Sequence, residues 1–323
     1  MRYGLTLPLE QIPLGEQRDL VTALPDLGYT DAWTSETAGA DAFTPLVLAS
    51  QWAPALRLGT AVVPVHTRGA AVLAQSFAAL AAVAPGRVVA GIGASSRVIV
   101  EGWNSVAYDA PYARVRDTLR FLRAAFAGGD AGKVDAAYQT LTVRGFRPAL
   151  VPDPAPPIVV AALREGMLRL AGREGDGAIL NWLGAHNVAQ AVAPVLAAAE
   201  GAQREIVARI FVVPLADPDR VRPAAKTALA AYLTVPAYAA FHQWIGNGDR
   251  LEQTWRLWAA GDRRAAAAAI PDSLVDELVV HGPAQACREH VGRYVEAGVT
   301  TPVLALLPFG YDMAAAVREL APA

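Results

Sequence analysis

The stretch Arg57-Leu58-Gly59-Thr60-Ala61-Val62-Val63-Pro64-Val65-His66-Thr67-Arg68 decides the fold. A short apolar run ends at Pro64 and passes at once to His66 and Arg68. A stretch rich in Ala and Leu follows at residues 70–84. Pro85-Gly86-Arg87 then opens a second apolar run at 88–92, which breaks into Gly93-Ala94-Ser95-Ser96-Arg97. Short apolar runs bounded by turn residues suit strands covered on both faces, as in a parallel sheet. Both runs end in small or polar residues, which places a site at one end of that sheet.

The same alternation extends in both directions. Strand-like runs lie at 3–7, 31–35, 58–63, 88–92, 158–161, 178–181, 206–213 and 302–307. Helical patterns lie at 14–27, 43–52, 70–84, 112–126, 167–173, 188–200 and 283–297, with Gly28 and Gly298 placed as C-terminal stops. After the fourth strand comes an excursion: a loop to Pro111, a helix, a hairpin-like stretch at 138–143 and the Pro-rich run 152–157. Residues 217–277 read as helical throughout, with Trp244, Trp255 and Trp258 available for packing. Eight strands with intervening helices predict an α/β fold, a (β/α)8 TIM barrel with insertions after strand 4 and before strand 8. Residues 1–323 would form one barrel domain carrying a helical insertion at about 217–277. An open doubly wound sheet is the competing arrangement, but the first strand-to-helix turn lacks a Gly-x-Gly-x-x-Gly fingerprint.

Composition narrows the function classes. The chain is 54% hydrophobic with a formal net charge of -2, which gives no electrostatic footprint for nucleic acid. Mean hydropathy is +0.27, much of it from Ala, and no apolar run is long enough to span a bilayer. Met1-Arg2-Tyr3-Gly4-Leu5 runs straight into a strand without the look of a signal peptide, so a cytoplasmic protein is expected. Cys287 is the single cysteine, which removes intrachain disulfides and cysteine metal clusters. No metal site is expected, and no Ser-His-Asp arrangement stands out.

In a barrel the chemistry sits at the C-terminal ends of the strands. That rule selects Ser35 and Glu36 after strand two, and Pro64, His66 and Arg68 after strand three. It selects Gly93, Ala94, Ser95, Ser96 and Arg97 after strand four, Ala162, Leu163 and Arg164 after strand five, and Asn181 and Trp182 after strand six. Such a mouth, partly apolar and partly hydrogen-bonding with arginines at its rim, suits a flat aromatic cofactor with an anionic tail. Glu36 reads as an active-site acid or a solvated loop acid. His66 either touches a ligand or caps a helix, and Arg68 either binds an anion or pairs with a carboxylate. Arg97 and Arg164 either meet an anionic tail or are simply solvated. Glu101, Trp103 and Asn104 could line a substrate pocket, Trp103 alternatively packing inward. Trp244 is either core or pocket wall.

At these residues the chain resembles the bacterial luciferase-like superfamily, and within it the deazaflavin branch. That branch includes methylenetetrahydromethanopterin reductases and F420-dependent glucose-6-phosphate dehydrogenases. The likeness is carried by Leu58-Gly59-Thr60-Ala61-Val62 with Arg68, by Gly86-Arg87 through Gly91-Ile92-Gly93, by Gly93 to Trp103, and by Gly175-Asp176-Gly177-Ala178. Val280-His281-Gly282-Pro283 and Ala297-Gly298-Val299-Thr300 continue it, so that it runs to about residue 310.

The resemblance implies coenzyme F420, or alternatively FMN, in the barrel mouth, with a non-proline cis peptide at Ala61–Val62 behind the ring. It maps cofactor contacts onto Ala162, Leu163 and Arg164 and onto Asn181, Trp182 and Leu183. It implies hydride transfer to or from a small organic substrate, and a homodimer. An FMN-dependent monooxygenase and a binding protein without turnover are the other functions this fold family offers. One departure stands out: several deazaflavin enzymes carry Asp-His where this chain has Ser35-Glu36. Glu36 therefore takes the place of the proton-handling histidine.

Overall fold

The structure, a computed structural model, describes residues 2–322. Its frame is a barrel of parallel strands: β1 (Gly4–Leu7), β2 (Asp31–Thr34), β3 (Arg57–Thr60), β4 (Val88–Gly93), β5 (Ile158–Ala161), β6 (Gly177–Asn181), β7 (Glu205–Val213) and β8 (Thr301–Leu306). Each strand pairs with the next, and β8 pairs back onto β1, so no edge is left open. The short pair Val63–Pro64 lies beside the end of β4, and Val279–His281 runs along the end of β7.

Side chains alternate along each strand. Odd-numbered residues of β2 and β4 to β8 point inward: Trp33, Val89, Val159, Ile179, Val207 and Val303 form the buried centre. The indole of Trp33 occupies the axis. Gly4 and Gly59 make room for it, since a Cβ would come within 2.8 Å of the ring at Gly4 and 2.4 Å at Gly59. The even-numbered set, including Leu58, Ile92, Val160, Leu180 and Ile210, packs outward against the helices. Below Trp33, Arg57 binds Asp31 and Glu205, and the Thr301 hydroxyl donates to Glu205, which closes the N-terminal end of the barrel with charge.

The expected helix at 14–27 is shorter. A 3-10 turn at Leu14–Glu16 precedes a helix confined to Arg18–Ala23. Pro25, without an N–H, cannot continue the ladder. The hairpin is wider than expected. Val134–Ala137 pairs with Thr142–Phe146, so residues 138–141 form the turn. Its turn is anchored by Asp117, buried on helix Pro111–Phe126. The Asp117 carboxylate accepts from Arg116 Nη2 at 2.8 Å and from both the Thr140 amide and hydroxyl at 2.8 Å.

Burial alone would raise the Asp117 carboxyl pKa, but the hydrogen bonds from Arg116 and Thr140 hold it below the usual carboxylate range. A depressed folded-state value stabilises the protein above the unfolded value and is lost as pH falls through the folded one. Asp117→Ala is expected to cost about 2–3 kcal/mol at pH 7 by urea unfolding. The gap to the parent should narrow as pH drops below 3.8. A gap that stays constant into acid would contradict this.

Between β7 and the short strand Val279–His281 the chain forms five helices, Pro218–Leu233, Pro236–Trp244, Gly248–Ala259, Arg263–Ala268 and Asp272–Leu278, and a sixth, Ala284–Glu296, leads into β8. Their buried face (Val221, Leu229, Leu251, Leu274) shares one cluster with Trp182, Phe211 and Ala305 of the barrel. The insertion is therefore packed on the β6–β8 side of the mouth. Among the described residues, no helix is long and apolar enough to cross a membrane.

Candidate active site

Following the inward register toward the C-terminal ends gives Ser35, Ala61, Gly91 and then Gly93, Ala161, Asn181, Arg209 and Ala305. From β2 to β5 these side chains are all small. Gly93 cannot be larger, since a Cβ there would meet Val62 Cγ2 at 2.7 Å and the Ala161 Cβ at 3.1 Å. The Ala61–Val62 peptide is cis. The Glu36 amide donates to the Val62 carbonyl at 3.1 Å, and the Ala61 amide donates to the Thr34 carbonyl, which ties the end of β3 to the chain after β2.

Glu36 is not a free loop acid. Its carboxylate accepts from Arg68 Nη2 at 2.7 Å and Nε at 3.1 Å, and from the Ala42 amide at 3.2 Å. Arg68 lies 5.0 Å from the Phe43 ring centroid and 4.0 Å from Asp41. The pairing reading of Arg68 is therefore the one the structure shows. Glu36, Arg68, Pro64, Ile99 and Asn104 line a cavity of about 500 Å³ between the loops that follow β2, β3 and β4.

His66 does not sit at the rim: it is 5% exposed. Its Nε2 lies 3.2 Å from the Asp109 carbonyl, its ring tilts against Tyr108, and its buried Nδ1 has no hydrogen-bond partner among the described residues. Burial, with the charge of Arg114, lowers its pKa below the ordinary histidine value against the opposing hydrogen bond to the Asp109 carbonyl. Beyond β4, Ser95 takes a positive φ of 64° and its carbonyl accepts from the Tyr108 hydroxyl at 3.1 Å. Ser96 Oγ accepts from the Ile99 amide, and Ala94 is half-buried above Gly93. A π-helical turn follows at Val98–Trp103. Glu101 pairs with Arg97 and accepts from the Tyr108 amide, so it braces this loop. Asn104 Nδ2 donates to the Ile99 carbonyl at 2.8 Å beside the cavity. Trp103 is 55% exposed and does not pack inward.

After β5, Ala162 is buried in the outer core, Leu163 is half-buried against it, and the exposed Arg164 is the N-cap of helix Glu165–Arg173. After β6, Trp182 adopts a φ of 53°, and its ring stacks on Phe211 with centroids 3.6 Å apart. Leu183 is buried in the outer core, and its carbonyl accepts from the Tyr294 hydroxyl at 2.8 Å. Trp244 packs on Phe241 and the outer core. Tyr238, six residues earlier on the same helix, takes the opposite side and reaches Asn181, whose Nδ2 donates to its hydroxyl at 3.1 Å. Arg209 on β7 lies beside Asn181, with its guanidinium 5.1 Å from the Phe211 centroid.

The chain matches the luciferase-like monooxygenase family over residues 1–301. It belongs to that family. A Mycobacterium tuberculosis protein provisionally named a coenzyme F420-dependent oxidoreductase is 27% identical, over 94% of this chain and 96% of its own length. The 5,10-methylenetetrahydromethanopterin reductase of Methanolobus tindarius is 24% identical over 90% of each chain. Among solved structures, the coenzyme F420-dependent tetrahydromethanopterin reductase of Methanopyrus kandleri superposes with a TM-score of 0.81 at 18% identity, over 99% of this chain and 97% of that one.

Within this luciferase-like barrel, sequence reasoning missed Arg209, Tyr232 and Tyr238. The signal for Arg209 was present: it is the one charged residue inside the apolar run 206–213, at an inward odd position. The tyrosines carry no such signal, because only the packing of the helical insertion brings them to β6 and β7. Among the described residues no group of His, Cys, Asp and Glu is arranged to hold a metal ion.

Proposed function

We propose that this protein is a coenzyme F420-dependent oxidoreductase, acting on a small or medium organic molecule with a reducible or oxidisable C=C, C=N or C–OH centre. The observation that carries this reading is the floor of small side chains, Ser35, Ala61, Gly93 and Ala161, with a carboxylate at its edge. A planar tricyclic ring needs a floor without protruding groups, and Gly93 has no space for a Cβ. When bound, the deazaflavin would supply or take up a hydride at C5.

The chain's own residues have four tasks. Ala61, Val62 and Gly93 support the ring. Ser95 and Ser96, with Leu163, Arg164 and the free amides at the start of helix Glu165–Arg173, offer donors to an anionic tail, whereas the Ala162 amide is already given to the Ile179 carbonyl. Glu36, held as an acceptor by Arg68 and Ala42, is placed to receive a proton from substrate and return it. The insertion helices keep water from the β6–β8 side of the mouth. His66, Glu101, Trp103 and Asn104 border the substrate side of this reading, while Trp244 stands behind Phe241. The same reading takes the protein as a cytoplasmic homodimer, supported by its family likeness.

An anaerobic assay tests it. Reduced F420 and protein are mixed with a panel of enones, imines and carbonyl compounds, and oxidised F420 with a panel of alcohols. F420 absorbance should change only with protein and a reactive substrate together. Binding of F420 without turnover on any member would point to a binding protein instead.

A further inference from the structure

The β6–β7 side of the mouth holds three buried polar atoms without a hydrogen-bond partner among the described residues: the donors Arg209 Nε and Trp182 Nε1 and the acceptor Asn181 Oδ1. A buried polar group without a partner is costly, so neighbouring ones at the mouth of a barrel mark where a ligand's polar atoms belong. Arg209 faces inward from β7, as the alternation with Val207 shows. It makes no ion pair within 4.0 Å, although eighteen such pairs occur elsewhere in the described chain. Burial pushes its pKa below the usual arginine value, and Tyr232, Tyr238 and the more distant Glu10 offset this only in part. Around it stand Phe211, stacked on Trp182, then Tyr232 at 4.9 Å from Trp182, and Tyr238 at 6.0 Å from Tyr232. The result is one cation and a few neutral polar groups backed by an aromatic wall.

We propose that Arg209, with the Tyr238 hydroxyl that Asn181 Nδ2 orients, is a subsite for the carboxylate of an aromatic or similarly flat substrate. Assigning that carboxylate to the substrate rests on the oxidoreductase reading above; the subsite itself does not. A single guanidinium matches a single negative charge. It would present two parallel N–H donors to a carboxylate, and the Tyr238 hydroxyl would supply a third. A phosphate dianion would call for more cation than this wall provides. The subsite lies across the barrel from Ala61, so a molecule anchored here would extend over the ring floor toward Glu36.

Calorimetric titration of the cofactor-free protein with benzoate, and with its neutral isostere benzamide, tests the subsite. Benzoate should bind saturably and at least 10-fold tighter than benzamide. Arg209→Met should weaken benzoate about 100-fold, Arg209→Lys about 10-fold and Tyr238→Phe a few-fold, by loss of charge-assisted hydrogen bonds. The affinity for F420, read from its own fluorescence, should change less than about 3-fold in every variant. Equal binding of benzoate and benzamide, or benzoate affinity unchanged in Arg209→Met, would overturn the proposal. Loss of F420 affinity in the variants, together with competition between benzoate and F420 in the parent, would also overturn it, giving the anion site to the cofactor. If Arg209→Met does not fold, the benzoate and benzamide comparison on the parent still decides. Tight benzoate with no F420 binding would support the subsite and remove the oxidoreductase reading.

Discussion

Replacing Glu36 with Gln should lower kcat by about 100-fold or more, while the affinity for cofactor stays within a few-fold. The amide keeps the size of the side chain and an oxygen for the Ala42 amide, but it cannot accept a proton and does not neutralise Arg68. If Glu36 handles the proton, the loss falls on the chemical step. If it only pairs with Arg68, the loss should fall on stability or KM, because the guanidinium would be left without its bidentate acceptor. Rapid-mixing kinetics of F420 absorbance in the parent and the variant separate the two. A kcat within about 3-fold of the parent would remove Glu36 from the chemistry.

The second large effect is on stability. Arg57→Met should destabilise the barrel by about 3–5 kcal/mol, because it leaves the carboxylates of Asp31 and Glu205 buried without their cation. Arg57 donates through Nη1 to Glu205 at 2.9 Å and through Nε to Asp31, whose side chain is fully buried. Arg2 is a second partner for Asp31, but at 3.3 Å and half-exposed it cannot replace Arg57. Burial would lower the Arg57 pKa and raise that of Glu205; their mutual hydrogen bonds and charges reverse both directions. For a chain of 323 residues the midpoint of thermal unfolding should fall by about 4–8 °C. Replacing Asp31, Arg57 and Glu205 together by apolar residues should recover much of the loss, since a buried ion network is not intrinsically better than a packed apolar one. A fall of less than about 3 °C in Arg57→Met would show that water reaches the carboxylates.

Eight strands were legible because each is a short apolar run between turn residues, and their observed ends differ from the expected ones by no more than a few residues. Less was legible where the chain departs from periodicity. The first helix is cut at Ala23 by Pro25, which a count of apolar spacing passes over. The residues 138–141 look strand-like in composition, yet they turn because Asp117 on a distant helix captures Thr140.

At the site, the positions after β2, β3 and β4 could be named from strand ends alone. What they do there could not. Glu36 and Arg68 lie 32 residues apart, and nothing in either segment states that they pair. The exposed Trp103 and the buried His66 are each opposite to what their residue types suggest. Arg209 could have been singled out as an inward charge on a buried strand, but its surroundings depend on where the insertion helix Pro236–Trp244 packs.

The most direct test of the central claim is an equilibrium titration of the purified, cofactor-free protein with F420 and, separately, with FMN, followed by the fluorescence of each. Saturable, one-to-one binding of F420 and much weaker binding of FMN are expected. Tight FMN binding with none for F420 would contradict that claim and make the protein a flavin-dependent member of the family.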